Sequence, residues 1–133
     1  MSELQVVCAV IEHDGCFLIA QRAKDGIAPY VWEFPGGKVE ANETHEEACI
    51  REIKEELSLD IVIDGFICDL LDDAFTPMVH VYAYKAHIVG GDMVLHNHEQ
   101  VRFVEAKDVF SYNFQEADEK ILRLLNDGYN NIV

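Results

Sequence analysis

Residues 32–59 read WEFPGGKVEANETHEEACIREIKEELSL, and this stretch decides the prediction of the fold. Its second half predicts a helix from Thr44 to Leu57, because Thr44 can cap the first turn while Glu47, three residues later, completes a capping box. At about 100° per residue, the apolar side chains fall on one face of this helix. That face consists of Cys49, Ile50, Ile53 and Leu57.

Three glutamates of the same helix form a second, acidic face. Glu52, Glu55 and Glu56 stand at i, i+3 and i+4, the spacing that brings side chains together, and their face lies roughly 130° from the apolar one. We therefore expect the acidic face to point outward. Like charges so placed repel by a few tenths of a kcal/mol per pair, roughly, so helix stability alone does not favour them. A hard divalent cation would reverse that effect, whereas the alternative is an ordinary solvated charged face.

The charge of the whole chain narrows the classes of ligand. The 133 residues carry 25 acidic and 10 basic side chains, a formal net charge of -15. This balance argues against binding duplex DNA or an anionic membrane, since both need clustered Lys and Arg. An anionic ligand would need a bound cation to mediate. The length predicts one domain over residues 1–133.

The cysteines and the N-terminus bear on the cellular compartment. The four cysteines form no CxxC pair and no zinc-finger spacing with histidine, so neither disulfides nor a structural zinc are expected. The first residues lack a basic signal region, and no apolar run approaches the roughly 18 residues of a membrane span. A reduced cytoplasm fits best.

The remaining periodicity predicts an α+β protein made mainly of strands. A hairpin with its turn at His13-Asp14-Gly15 opens the chain, and Asn113 with Glu116 suggests a second capping box for a helix that runs to about Asn126 and stops at Gly128. Strands are predicted at 4–11, 16–20, 31–34, 61–71, 78–89 and 101–104. This order is not a regular βαβ alternation.

The spacing of the quoted stretch resembles the Nudix box, G-x5-E-x7-R-E-U-x-E-E-x-G-U, where U is a bulky aliphatic residue. Matching positions are Gly37, Glu43, Arg51, Glu52, Ile53, Glu55, Glu56 and Leu59. Ser58 stands where the pattern has Gly. This position lies just past the helix end, where a residue with left-handed backbone conformation is common, and that conformation costs Ser roughly 1 kcal/mol or more. We expect that cost to be absorbed and the metal site to stay intact.

The resemblance implies the Nudix fold, an α/β/α sandwich around a mixed sheet, and hydrolysis with Mg²⁺ or Mn²⁺. It implies metal binding by Glu52, Glu55, Glu56 and the Gly36 carbonyl. It also implies that Arg51 and Glu43 form a structural pair that joins the loop to the helix.

The surroundings of the box resemble the MutT and CTP pyrophosphohydrolase branch, which implies further site residues. Arg22 and Lys38 would touch substrate phosphates, or each is a surface charge. Asp118 would read the base by accepting from an exocyclic amine such as N4 of cytosine, or it only favours the positive end of its helix. Glu99 would be a further metal ligand or the general base. The neighbouring His96 and His98 are interpreted as surface residues.

The implied reaction is hydrolysis of a nucleoside triphosphate to the monophosphate and pyrophosphate. Cytidine nucleotides, including modified dCTP, are favoured slightly by the Asp118 argument. The alternatives are an 8-oxo-dGTP-type pool-sanitising enzyme, a hydrolase of ADP-ribose or another dinucleotide, and a nucleotide-binding Nudix module without activity. We expect a small-molecule nucleotide substrate and neither a nucleic acid polymer nor a membrane as partner; the sequence does not decide between a monomer and a homodimer.

Overall fold

The computed structural model describes residues 4–26, 29–72, 78–114 and 116–132, and side chains as far as residue 125. The elements follow in the order β1 (Leu4–His13), β2 (Cys16–Arg22), β3 (Trp32–Glu33), β4 (Gly36–Lys38), α1 (His45–Leu57), β5 (Leu59–Asp72), β6 (Val79–Gly91), β7 (His98–Glu105), a 3-10 helix (Ala106–Ser111) and α2 (Glu116–Ile132). None of the helices in these ranges is long and apolar enough to cross a membrane.

The sheet is mixed, as predicted. Its main strand order is β3-β2-β1-β6-β5, with β4 paired to β1 and β7 paired to β2. The pairing of β1 with β6 is parallel and the other named pairings are antiparallel. The predicted hairpin turn is confirmed, since Asp14 and Gly15 both have positive φ, 52° and 80°, as a tight two-residue turn between twisted strands requires.

Two hydrophobic cores cover opposite faces of the sheet. Alternate residues of β1 point to opposite sides, so Val7, Ala9 and Ile11 pack under α1 while Cys8 and Val10 pack on the side of α2. Helices therefore lie on both faces, and the predicted α+β class and the α/β/α layering are confirmed. The four cysteines are free thiols, as expected.

The orientation of α1 differs from the prediction. Its capping box is present as predicted, with the Thr44 side chain accepting from the Glu47 N–H. However, Ile50 is exposed and Ala48 is buried, so the helix is rotated about its axis relative to the expected apolar face. The arc that faces the sheet thus includes Glu52 and Glu56, and the expectation of an outward acidic face is wrong for these two residues.

Several element boundaries also differ. Strand β4 and the 3-10 helix were not predicted, and β7 begins at His98 instead of residue 101. Helix α2 starts at Glu116 and continues through Gly128 to Ile132, so the predicted stop at Gly128 is wrong. Gly weakens a helix by only about 1 kcal/mol, which a continuing helix tolerates. Asn113 precedes the helix in an extended segment, where its carbonyl accepts from the Trp32 N–H at 2.9 Å.

Candidate active site

Glu52 lies against Gly37, the second glycine of β4. A Cβ added at Gly37 would meet the Glu52 carboxyl carbon at 2.3 Å and its two oxygens at 2.4 and 2.6 Å. Only a residue without a side chain leaves this space, so Gly37 lets the Glu52 carboxylate pack directly on the backbone of the strand. The side chain of Glu52 is consequently only 15% exposed.

Arg51 ties the loop before α1 to the helix and contacts three of the box glutamates, Glu43 in the loop and Glu52 and Glu55 on the helix. Its guanidinium binds Glu43 twice, Nε to Oε2 at 3.0 Å and Nη2 to Oε1 at 2.7 Å, and donates to the Lys38 carbonyl at 2.9 Å. Its Nη1 reaches Glu52 at 2.9 Å and Glu55 at 3.1 Å. The bond from Arg51 lowers the pKa of Glu43 to about 2. One guanidinium therefore contacts three carboxylates, and its single positive charge offsets only part of theirs.

Among the described residues, no Lys or Arg pairs with Glu56. Its side chain is 14% exposed, and its Oε2 is buried without a hydrogen-bond partner in the part of the chain that the structure describes. Burial, together with the nearby Glu52 and Glu33 charges, raises the pKa of Glu56 to about 8. A buried carboxyl oxygen without a partner costs roughly 1–3 kcal/mol. The helix thus holds a destabilised acid next to a second carboxylate.

These residues fit a hard divalent cation in their chemistry. Carboxylate oxygens are the ligands that Mg²⁺ prefers, and a cation beside Glu56 would both satisfy its free oxygen and remove the repulsion from Glu52. Across the described ranges, no three acidic, His or Cys side chains already surround one point as a metal site. The reason is visible locally: Arg51 draws Glu52 and Glu55 toward itself, and Glu55 is 59% exposed.

A second group of side chains extends the site across β2, β3 and β7. Glu33 accepts from Arg22 Nε at 2.6 Å through one oxygen and pairs with His98 Nε2 at 2.9 Å through the other. Although burial opposes it, the His98 and Arg22 contacts hold the pKa of Glu33 below its ordinary value. His98 Nδ1 faces Glu56 Oε2 at 4.0 Å. The interpretation of His98 as a surface residue is wrong, since its side chain is 5% exposed.

Asp118 lies in the first turn of α2 and is buried, 5% exposed, among the core residues on that side of the sheet. Its Oδ2 accepts from the Phe34 N–H at 3.2 Å. Burial and then the Glu33 charge raise the pKa of Asp118 well above its ordinary value, while the Phe34 bond and Arg22 oppose that rise. Asp118 and Arg22 therefore belong to the same electrostatic neighbourhood, as a shared substrate would require.

Gly36, Lys38 and Glu99 are the remaining predicted site residues. Gly36 pairs with Cys8 and is packed tightly, since an added Cβ would meet the Val7 carbonyl oxygen at 1.9 Å. Lys38 is exposed at the end of β4. Glu99 is exposed and is the extra residue of a bulge in β7, where Arg22 pairs with His98 and Gln21 with Gln100. Within the described ranges, the side chains of Lys38 and Glu99 make no hydrogen bond or ion pair with the glutamates of α1.

Sequence reasoning missed Glu33 and His98 as site residues. Glu33 stands inside the quoted stretch as the second residue of the two-residue strand β3, between Trp32 and Phe34. His98 could be found only by knowing that β7 pairs with β2 and brings position 98 opposite Arg22. His96, by contrast, is exposed as predicted; its ring Nε2 lies 2.8 Å from the Ser58 hydroxyl.

Comparison with known proteins identifies the family of this chain. The NUDIX domain family matches residues 1–125. The CTP pyrophosphohydrolase of Escherichia coli K12 is 30% identical over 122 residues, covering 92% of this chain and 90% of that protein. The nucleoside triphosphatase NudI of Escherichia coli O139:H28 is 30% identical over 138 residues, covering 93% and 97%.

A solved structure shows the same fold. The MutT NUDIX hydrolase from Burkholderia pseudomallei superposes with a TM-score of 0.82 at 26% identity, covering 93% of this chain and 98% of that one. The fold, the matched residues and these relatives bear out the resemblance drawn from the box. The chain belongs to the Nudix family and is a Nudix hydrolase.

Proposed function

We propose that the protein hydrolyses a nucleoside triphosphate to the monophosphate and pyrophosphate, with Mg²⁺ or Mn²⁺ held by Glu52, Glu55 and Glu56. The observation that carries this proposal is the buried, unpartnered Oε2 of Glu56 beside Glu52, with the pKa of Glu56 raised to about 8. A pure binding module has no use for an acid kept at this cost. The Gly36 carbonyl is proposed as a backbone ligand on the family pattern alone.

The proposed reaction is attack of water on the β-phosphorus. The water oxygen bonds to that phosphorus, the bridging bond to the α-phosphate breaks, and the nucleoside monophosphate leaves with the electron pair. A bound divalent ion supplies charge neutralisation of the phosphates and a more acidic water. Glu52 or Glu99 takes the proton of the water. Arg22, fixed by Glu33, and Lys38, which is exposed, bind phosphate oxygens.

The base is proposed to lie against Asp118. Its raised pKa favours a neutral carboxyl group, which accepts through one oxygen and donates through the other. Such a group matches the Watson–Crick edge of cytosine, where the N4 amine donates and N3 accepts. We therefore favour CTP, dCTP or a modified dCTP, and the CTP pyrophosphohydrolase relative is consistent with that choice.

Three experiments test the proposal. Pyrophosphate release should be measured over a panel of cytidine, 8-oxo-guanine and other nucleoside triphosphates, and AMP release should be measured with ADP-ribose, whose hydrolysis gives AMP and ribose 5-phosphate. Strongest pyrophosphate release from a cytidine nucleotide is expected, and pyrophosphate release from none of the triphosphates would refute the reaction. In ¹⁸O water the label should enter pyrophosphate, and label in the monophosphate would contradict attack at the β-phosphorus. Replacing Glu55 by Gln should reduce turnover by orders of magnitude, whereas a binding module would keep its metal-free nucleotide affinity.

The cellular setting follows from the same features. Free cysteines and the net charge of -15 suit a reducing compartment and a small anionic substrate reached through a cation. We infer a cytoplasmic enzyme with no membrane or nucleic acid polymer as partner.

A further inference from the structure

Two parts of the proposed site meet at His98. One is Arg22, the proposed phosphate-binding cation, and the other is Glu56, the buried carboxyl of the metal helix. His98 Nε2 lies 2.9 Å from Glu33, whose other oxygen binds Arg22 at 2.6 Å. On the opposite edge of the ring, Nδ1 lies 4.0 Å from Glu56 Oε2. The imidazole ring therefore spans the gap between the two.

Both facing atoms on the Glu56 side are shielded from solvent. His98 Nδ1 and Glu56 Oε2 are each buried without a hydrogen-bond partner among the described residues. Nitrogen and oxygen bond at about 2.7–3.2 Å, so a shift of about 1 Å would join them. A carboxylate that gives one oxygen to a cation keeps the other for a protein partner, and such outer hydrogen bonds orient the ligand. His98 is the side chain placed to be that partner.

We propose that His98 is a positioning residue that holds Glu33, and through it Arg22, with one ring nitrogen and Glu56 with the other. This inference rests on the proposed function, since it assigns phosphate binding to Arg22 and metal binding to Glu56. His98 thereby sets the distance between the phosphate-binding cation and the metal carboxylate, although it touches neither substrate nor metal itself.

Two amide substitutions separate the halves of this role. In His98→Gln the amide reaches the place of Nε2 and keeps the contact with Glu33, while the partner of Glu56 is lost. In His98→Asn the amide takes the place of Nδ1 and faces Glu56, while Glu33 is out of reach. His87→Gln is the matched control, because His87 is an exposed histidine of β6 that pairs with Asp64 at 2.8 Å, outside the site.

Two affinities are measured without turnover: Mn²⁺ by calorimetry, and a CTP analogue with an α,β-imido bridge by calorimetry in EDTA. His98→Gln should weaken the binding of Mn²⁺ by about 10- to 100-fold and leave the affinity for the analogue nearly unchanged. His98→Asn should weaken the binding of the analogue and leave the affinity for Mn²⁺ nearly unchanged. The His87→Gln control should change neither affinity.

Equal Mn²⁺ and analogue affinities in all variants would overturn the inference, and so would parallel loss of both with a lowered Tm, which would mark a merely structural role. If a variant does not fold, the His98 ring nitrogens of the wild-type protein are followed by NMR during Mg²⁺ addition; a shift of Nδ1 is expected, and an unchanged Nδ1 signal overturns the inference. Failure of the wild-type protein to bind Mn²⁺ or to release pyrophosphate would instead refute the proposed function.

Discussion

Substituting Gly37 by Ala should displace the Glu52 carboxylate while leaving the fold almost intact. The new Cβ would lie 2.3 Å from the Glu52 carboxyl carbon, whereas ordinary contacts begin at 3.4 Å. The carboxyl group must therefore retreat by about 1 Å, and a displacement of that size at a reacting centre costs about 100-fold in rate. The obstacle is the end of a flexible side chain, so the cost in folding free energy should be small.

Gly36→Ala is the matched control for this prediction. Its Cβ would lie 1.9 Å from the Val7 carbonyl oxygen, part of the backbone, which cannot swing aside. Overpacking of this kind destabilises by about 3 kcal/mol or more. The assay is kcat for pyrophosphate release together with the urea midpoint of unfolding. Gly37→Ala should have a lower kcat and an unchanged urea midpoint, whereas Gly36→Ala should have a lower urea midpoint. A Gly37→Ala protein with wild-type kcat would refute the placement of Glu52 in the reaction.

Three further predictions concern pH and the helix end. In EDTA, the free energy of unfolding should fall as pH rises from about 4.5 toward 8, because folded Glu56 keeps its proton up to a pKa of about 8. The raised pKa of Asp118 contributes to the same slope, so Glu56→Gln should make the slope smaller without abolishing it, and an unchanged slope would count against the burial of an acid at Glu56. Stability should also fall as pH drops from about 4.5 toward 2, because the pKa of Glu43 is lowered to about 2 by Arg51; acid titration of Glu43→Gln should lack that component, and its persistence would exclude Glu43 as the source. Ser58→Gly should leave the free energy of unfolding in urea nearly unchanged, because the relief of backbone strain at φ 58° offsets the loss of the hydrogen bond to His96. Ser58→Ala keeps the strain and loses the hydrogen bond, so it should lower the free energy of unfolding by about 1 kcal/mol. Equal stability of the two variants would contradict this reasoning.

Local signals allowed much of the fold to be predicted. The capping box at Thr44 and Glu47, and the Asp14-Gly15 turn, involve residues close in sequence, so their chemistry was readable directly. The rotation of α1 about its axis could not be predicted from the sequence. Its apolar residues fit more than one face, and the choice that buries Ala48 and exposes Ile50 follows from the packing of β4 against the helix, which brings Gly37 onto Glu52.

The proximity of Glu52, Glu55 and Glu56 could be predicted from their spacing along one helix, and their proposed role as metal ligands came from the resemblance to the Nudix box. Contacts that depend on pairing between distant strands were missed. The link from Glu33 to His98 spans 65 residues and requires the register of β7 on β2. A strand of two residues, such as β3, carries too little periodicity to be placed from sequence.

The central claim is that divalent cations neutralise the carboxylates of α1, and calorimetric titration of the protein with Mn²⁺ at pH 8 tests it most directly. The wild-type protein should take up Mn²⁺, more tightly with the α,β-imido CTP analogue present, and Glu56→Gln should bind at least about 10-fold more weakly. Absence of Mn²⁺ uptake by the wild-type protein, with and without the analogue, would contradict the claim.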